Sequence, residues 1–334
     1  MLHRLSRLTL AAGAAAAAIA ASAVTLGAVP AQAYTTSGNL FASVNLNGTL
    51  AHGNGVTGVT HIGTGQYEVT FSADIQQCAY VATTINAYSQ ALQVFTAGGP
   101  VAVSGGHLSA DSVYVQTKNQ GGGLTDGPFN LVVDCGLPGW SYAVIGYDAN
   151  LVRSTPGATL TSPGAGRYDV TFPADISRCA YLATVGDPGN GLVFNPGGVY
   201  TGSGTNPGTV YVETKNPGGG LSAGIPFHLA VICPAAADVK VAVVAANGRI
   251  SRGSRHTWSF SPAPGQYTLI TNRPLSGCAA VATRGSAGTA VPFDPATVEI
   301  IPGAARHTVG IQVRQLLFSG GNPASESFHA ALVC

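Results

Sequence analysis

Charge is what this sequence has least of. Asp, Glu, Lys and Arg make up 9% of its 334 residues, against about a quarter in ordinary soluble domains. Fifteen basic and fourteen acidic residues leave a formal charge of +1. A balance so near zero leaves no electrostatic footprint for nucleic acid or an anionic membrane, so neither is an expected partner. No CxxC pair, phosphate-binding glycine loop, dinucleotide fingerprint or calcium loop occurs. No metal and no cofactor is therefore expected. Past residue 33 there is no apolar run of membrane-spanning length and no capped stretch with helical periodicity. Scarce charge does not imply disorder, because 46% of the residues are hydrophobic.

The chain opens like an export signal. Arg4 and Arg7 precede an apolar, alanine-rich stretch from Leu8 to Val29, and Ala31-Gln32-Ala33 has the small-x-small form of a signal peptidase site. Residues 1–33 are expected to be cleaved, leaving a mature chain from Tyr34 with a formal charge of −1. The basic start holds no Arg-Arg pair, which favours the general secretory route. No hydrophobic tail precedes Cys334, so a secreted, extracellular product with no membrane attachment after cleavage is expected. Arginine outnumbers lysine twelve to three, and alanine and glycine abound, as in a GC-rich bacterial genome.

The rest of the chain repeats itself three times. Gly65-Gln-Tyr67-Glu-Val69-Thr-Phe71 leads to Asp74-Ile-Gln-Gln-Cys78-Ala-Tyr-Val-Ala-Thr83. Gly166-Arg-Tyr168-Asp-Val170-Thr-Phe172 leads to Asp175-Ile-Ser-Arg-Cys179-Ala-Tyr-Leu-Ala-Thr184. Gly265-Gln-Tyr267-Thr-Leu269-Ile-Thr271 leads to Pro274-Leu-Ser-Gly-Cys278-Ala-Ala-Val-Ala-Thr283. Each copy closes alike, at Pro128-Phe-Asn-Leu-Val-Val-Asp-Cys135, Pro226-Phe-His-Leu-Ala-Val-Ile-Cys233 and Ser327-Phe-His-Ala-Ala-Leu-Val-Cys334. A repeat of roughly 100 residues is a whole domain and not a solenoid turn. The expected organisation is a signal at 1–33 and β modules at 34–135, 142–233 and 239–334. The connections are Gly136–Ser141, which contains Trp140, and Pro234–Asp238.

Alternation points to strands. Tyr168, Val170 and Phe172 share one face; so do Phe227, Leu229, Val231 and Cys233. About seven short strands per module, with glycine- and proline-rich turns between them, predict an all-β fold of tandem antiparallel sandwiches of immunoglobulin-like size. Asn47-Gly48 and Asn247-Gly248 suggest type I′ hairpins, and Asp148-Ala149 suggests a longer or differently shaped loop in the second copy. Six cysteines allow fifteen pairings. Repeat symmetry favours Cys78–Cys135, Cys179–Cys233 and Cys278–Cys334, each stapling an inner strand to the last strand across the core. Closing loops of that length stabilises a module by about 4 kcal/mol in the chain-entropy model. A seven-stranded unit begins at one end and finishes at the other, so short linkers favour an end-to-end rod over a closed ring.

This signature, G-x-Y-x-V-x-F…D-I-x-x-C-A-Y-x-A-T closing on P-F-H-L-A-V-x-C, resembles a module of exported and hypothetical actinobacterial proteins, sometimes the terminal β domain of longer chains. The second copy matches best. The third departs most, with Thr271, Pro274 and Ala280 in place of an aromatic, an aspartate and a tyrosine. The resemblance implies a fold and an exported location and brings no activity with it.

Candidate site residues are few. Gly220-Leu-Ser222-Ala-Gly224 has the form of a nucleophile elbow, but it lies in a glycine-rich loop that the other copies do not match. Asp74 and Asp175 precede strands, where a carboxylate usually bonds its own backbone. His228 and His329 occupy equivalent places, with Asn130 in the first copy, and alternation turns them away from the sandwich core towards solvent. Tyr114, Gln116 and Lys118, with their equivalents Tyr211, Glu213 and Lys215, offer aromatic, amide and charge together on an outward sheet face. Such a face suits sugar stacking, and it equally suits plain strand propensity. Trp140 and Trp258 are not equivalent, so no tryptophan platform repeats.

The reading that follows is a secreted, non-enzymatic multi-module protein that binds or displays through its repeated sandwiches. A glycan, a cell-envelope component or another extracellular protein is its expected partner. A structural envelope spacer is the alternative, and an extracellular polymer hydrolase a remote one.

Overall fold

The computed structural model describes residues 38–89, 94–96, 99–193, 197–234, 238–289, 296–303, 305–315 and 322–334. The expected signal at 1–33 and the start at Tyr34 lie outside them. The first repeat holds β1 (Leu40–Val44), β2 (Leu50–Asn54), β3 (Val56–Gly63), β4 (Gln66–Phe71), β5 (Ala79–Thr84), β6 (Ala87–Ser89), β7 (Val94–Thr96), β8 (Val101–Gly105), β9 (Ser112–Thr117) and β10 (Phe129–Asp134). The second holds β11 (Trp140–Ile145), β12 (Leu151–Ser154), β13 (Thr159–Gly164), β14 (Arg167–Thr171), β15 (Ala180–Gly186), β16 (Gly198–Ser203), β17 (Thr209–Lys215) and β18 (Phe227–Ile232). The third holds β19 (Val239–Val244), β20 (Ile250–Gly253), β21 (Thr257–Ala263), β22 (Gln266–Thr271), β23 (Ala279–Arg284), β24 (Ala296–Pro302), β25 (Thr308–Gln315) and β26 (Phe328–Val333). No helix occurs among the described residues, so the fold is all-β.

Apart from the small β6–β7 hairpin, each repeat lays eight strands into two antiparallel sheets. The inner sheets run β2-β1-β10-β5, β12-β11-β18-β15 and β20-β19-β26-β23. The outer ones run β3-β4-β9-β8, β13-β14-β17-β16 and β21-β22-β25-β24. Eight strands replace the expected seven because β2 and β3 carry exposed Gly, Thr and His with no clean alternation. Inside each sandwich the motif tyrosine meets the closing phenylalanine: Tyr67 with Phe129, Tyr168 with Phe227 and Tyr267 with Phe328, at centroid distances of 5.2, 5.2 and 5.0 Å. The glycine two residues earlier is needed for its φ, +65° to +69°, and because a Cβ there would stand 2.5–2.8 Å from the carbonyl oxygens of Thr117, Thr214 and Val313.

Apart from β2, β12 and β20 at the rim, the strands of the inner sheets are buried on both faces. Along β18, Phe227, Leu229 and Val231 enter their own sandwich. Ala230 and Ile232 enter a second core, shared with Val132 and Val81 of the first repeat and Val241, Val281 and Val333 of the third. Trp140 begins β11 and is buried in this shared core, so it belongs to the fold and not to a linker. The second sandwich accordingly starts two residues before the expected boundary at 142.

The repeats close on one another. β15 pairs in parallel with β8, Val185 opposite Ala102 and Gly186 opposite Val103, joining the second inner sheet to the first outer sheet. Parallel bridges Thr201–Gly285 and Ile85–Ile300 join the next two pairs. Equivalent main-chain bonds tie each seam: Asp187 N–H to Val103 O at 3.0 Å, Ser286 N–H to Thr201 O at 2.9 Å, and Asn86 N–H to Ile300 O at 2.7 Å. The arrangement is a closed ring and not the expected rod. Strand count explains the difference. With eight strands, a repeat begins beside its own end, Leu40 opposite Val133, Trp140 opposite Ile232 and Val239 opposite Val333. A short linker then suffices to start the neighbouring unit.

Around the axis, the Ala-Thr pair of the repeated motif forms a hydrogen-bonded triangle. The Thr184 hydroxyl accepts from Ala82 N–H at 2.9 Å and donates to Ala82 O at 3.2 Å. Thr283 does the same with Ala183 at 2.8 and 3.0 Å, and Thr83 with Ala282 at 2.9 and 3.1 Å.

The three disulfides are Cys78–Cys135, Cys179–Cys233 and Cys278–Cys334, with Cα separations of 4.4, 4.1 and 4.2 Å. They do not cross the core. Each continues the register of two neighbouring inner strands one residue past Ala79–Asp134, Ala180–Ile232 or Ala279–Val333. The early hairpin is also alike in all three copies. Gly48, Ala149 and Gly248 donate to the carbonyls of Asn45, Gly146 and Ala245, with φ of +78°, +55° and +83°. Asn47 and Asn247 are not in the left-handed region, so the turn is the three-residue type with a left-handed last position and not type I′. Ala149 bears the steric penalty that its glycine counterparts avoid.

Two expectations follow. Thr184→Val keeps the shape but leaves Ala82 N–H buried without its acceptor; denaturant titration of the oxidised chain should show a loss of about 1–3 kcal/mol. Ala149→Gly should raise stability by about 1 kcal/mol in the same titration.

Candidate functional site

The three seams share one plan, and one of them departs from it. At the first seam, the Tyr80 ring of the first repeat stacks on His228 of the second, centroids 4.9 Å apart. The Arg153 guanidinium lies 5.6 Å from the same ring, and its Nε donates to Cys78 O at 2.9 Å. Tyr80 N–H donates to His228 Nδ1 at 3.0 Å, and the Tyr80 hydroxyl donates to Ile75 O at 2.9 Å. The second seam repeats this. Tyr181 packs on His329 at 5.0 Å, Arg252 lies 4.7 Å over the ring, and Arg252 Nε donates to Cys179 O at 2.9 Å. Tyr181 N–H donates to His329 Nδ1 at 2.8 Å and its hydroxyl to Ile176 O at 3.1 Å.

At the third seam all three side chains are smaller. Ala280 stands for the tyrosine, Asn130 for the histidine and His52 for the arginine. Asn130 Nδ2 donates to Ala280 O at 2.8 Å, and His52 Nε2 reaches Cys278 O at 3.1 Å. Ile85 takes the place of Gly186 and Gly285. A Cβ at those glycines would stand 2.7 Å from His228 Cδ2 and 3.0 Å from His329 Cδ2, so glycine goes with histidine and isoleucine with the shorter asparagine. The place of the tyrosine ring is not refilled. A cleft of about 330 Å³ opens there, lined by Ala280, Asn130, His52, Leu275, Ile85 and Arg306 among others. That lies in the size range of small-molecule sites. Buried Ile300, Val309 and Leu332 also line it, with Ser43 and Ser276 adding hydroxyls. A cavity on the ring axis beside Thr84, Val185 and Arg284 is only about 80 Å³.

The residues singled out from sequence fare differently. His228 and His329 are fully buried in the seams and not exposed, because the face opposite the sandwich core packs on the preceding repeat. They sit in different seams. The Tyr114 face is not open either. Tyr114, Gln116, Lys118, Glu213 and Lys215 are all buried, and Tyr211 is half-buried. His107 stacks on Tyr114 at 4.0 Å, and Tyr114 donates to Gln66 Oε1 at 2.6 Å. Tyr211 donates to Glu213 Oε1, whose other oxygen meets Lys215 Nζ at 3.1 Å. Lys118 Nζ crosses the first seam to donate to Val193 O at 2.7 Å, and burial lowers its pKa to about 8. Asp74 and Asp175 accept from the N–H groups of Gln76 and Ser177 as turn residues do. Ser222 lies in a loop tied to Thr214, with no helix to complete an elbow. Trp258 is 54% exposed on β21. Among the described residues no three His, Cys, Asp or Glu gather as a metal site, and no helix is long and apolar enough to cross a membrane.

No family model, no curated protein and no solved structure matches this chain.

The seam histidines carry a pH signature. A backbone N–H faces Nδ1, so that nitrogen must accept. Nε2 faces a carbonyl, Asp187 O for His228 and Ser286 O for His329, both at 3.1 Å, so it must donate. Only the neutral ring satisfies both. Burial, and then Arg153 or Arg252 nearby, pushes each pKa from 6.5 down to about 3. Between those values the unfolded chain binds more protons, so each histidine's contribution is complete above pH 6.5 and falls by roughly 1.4 kcal/mol per pH unit on acidification. Asp134 and Glu299 act oppositely, since burial raises both to about 7. The histidine effect is therefore read as a difference. His329→Asn should be destabilising at pH 7, and its deficit should shrink steadily as denaturant titrations are repeated down to pH 4.

Proposed function

We propose that this is a secreted, non-enzymatic binding protein of the extracellular medium, and that the third seam is its ligand site. The observation that carries the reading is the replacement, at one seam of three, of tyrosine, histidine and arginine by Ala280, Asn130 and His52, which leaves a cleft of about 330 Å³. A ring that only needed to hold together had one working arrangement, already used twice, to copy. Polar groups converge on the cleft around an apolar floor, the usual composition of a small-molecule site. Three disulfides fit an oxidising compartment. They support export together with the signal-like first 33 residues and the resemblance to exported actinobacterial modules.

The spacer reading draws on the two sealed seams, whose stacked and hydrogen-bonded contacts make a rigid body whatever it binds. The two readings part on one experiment. A fragment library is screened against the oxidised chain by ligand-observed NMR, and hits are repeated on Ala280→Tyr, which fills the cleft. Hits that compete for one site and vanish in the variant support the binding reading. An empty screen, or hits indifferent to the variant, leaves the spacer.

A further inference from the structure

We propose that the third seam binds a small phenol, a planar aromatic ring carrying a hydroxyl, seated where Tyr80 and Tyr181 seat their own rings. This rests on the binding reading above and names its ligand class.

The first argument is internal. The molecule shows twice what fits this site. In both sealed seams a phenol ring lies against the neighbouring repeat and its hydroxyl donates to the carbonyl of Ile75 or Ile176. The residue in that place at the third seam is Leu275, which lines the cleft. Its turn is the same one: Cys278 N–H donates to Leu275 O at 3.1 Å, as Cys78 donates to Ile75 and Cys179 to Ile176, both at 2.9 Å. A carbonyl has two acceptor positions. In the other seams it serves the cysteine N–H and the phenol together.

The second argument is what the cleft keeps. Ile85 stands where the histidine seams keep glycine, so the seam differs on that side too, and among the described residues a cleft remains beside Ala280. Ile300, Val309 and Leu332 offer an apolar floor to a ring, and the volume leaves room for a substituent. The third is charge. Arg306 lines the cleft, and among the described residues no carboxylate does. An acidic substituent on the ring is favoured over an amine.

The test uses the oxidised chain with 4-methylphenol, toluene, cyclohexanol, 4-hydroxyphenylacetate and tyramine as probes, read by ligand-observed NMR titration. One site for 4-methylphenol is expected, with toluene and cyclohexanol each about tenfold weaker for lack of the hydroxyl or the flat ring. 4-Hydroxyphenylacetate should bind more tightly than tyramine. Ala280→Tyr should abolish binding; Ala280→Leu is the substitute if the larger variant does not fold. Tyr181→Ala should open a second phenol site and raise the stoichiometry from one to two. The peptide Gly-Tyr-Gly separates the sources of the ring: binding it more tightly than 4-methylphenol would assign the site to a tyrosine side chain, and excluding it to a free phenolic compound. Equal binding of 4-methylphenol by Ala280→Tyr would overturn the proposal. Cyclohexanol binding as tightly as 4-methylphenol, both lost in Ala280→Tyr, would overturn the phenol class and leave the binding reading standing. Silence from every probe, with fragment hits of other chemistry at the cleft, would do the same.

Discussion

At the centre of the molecule, three threonine hydroxyls each hold the main chain of an alanine in the neighbouring repeat. Each hydroxyl both accepts from the alanine N–H and donates to its carbonyl, so both polar groups of one peptide position are satisfied inside the protein. This matters because β5, β15 and β23 lie at the edges of their inner sheets. A buried edge strand with unpaired groups is costly. The threonine triangle, with the parallel pairing to the next outer sheet, removes that cost and sets the axial register of the repeats. The shared apolar core, the seam stacking and the burial of the strands around the axis all depend on that register.

The seams show how packing and electrostatics are coupled. A histidine in a seam requires glycine opposite, at Gly186 or Gly285, and a neutral ring with its proton on Nε2. Arg153 and Arg252 cap the tyrosine and reinforce the neutral state of the histidine. Changing one member therefore changes the set. The third seam bears this out: arginine, tyrosine, histidine and glycine have become His52, Ala280, Asn130 and Ile85, and only the tyrosine's volume was left open.

Much of the fold is readable from the residues. Alternation in Phe227–Cys233 identifies the face that enters the sandwich, and repeat symmetry identifies all three disulfides among fifteen pairings. What alternation cannot show is that the opposite face is also buried, because His228, Ala230 and Ile232 read as an ordinary solvent face with one polar member. For the same reason the Tyr114 and Tyr211 strands looked open. The rod followed from a strand count of about seven where each repeat has eight, and the second and third strands of the first repeat, exposed and carrying glycine, threonine and histidine, show no clean alternation to count by. The cleft was half visible. Asn130 and Ala280 both stand out as departures from the repeat, but they lie in its first and third copies, and only ring closure brings them within hydrogen-bonding distance. Nothing in the sequence marks Arg153, Arg252 and His52 as their partners.

The repeats of this ring belong to one chain, and that has a consequence for how its surface can change. A ring assembled from three identical chains writes every substitution three times. A change that opened one seam would open all three, and the assembly would lose every stacked tyrosine at once. Here each seam is encoded separately. Two can keep the arrangement that holds the body together while the third drifts, so divergence between copies becomes a source of asymmetry that a true threefold assembly cannot reach one step at a time. The same covalent linkage also frees folding from concentration, because closing the ring needs no second molecule.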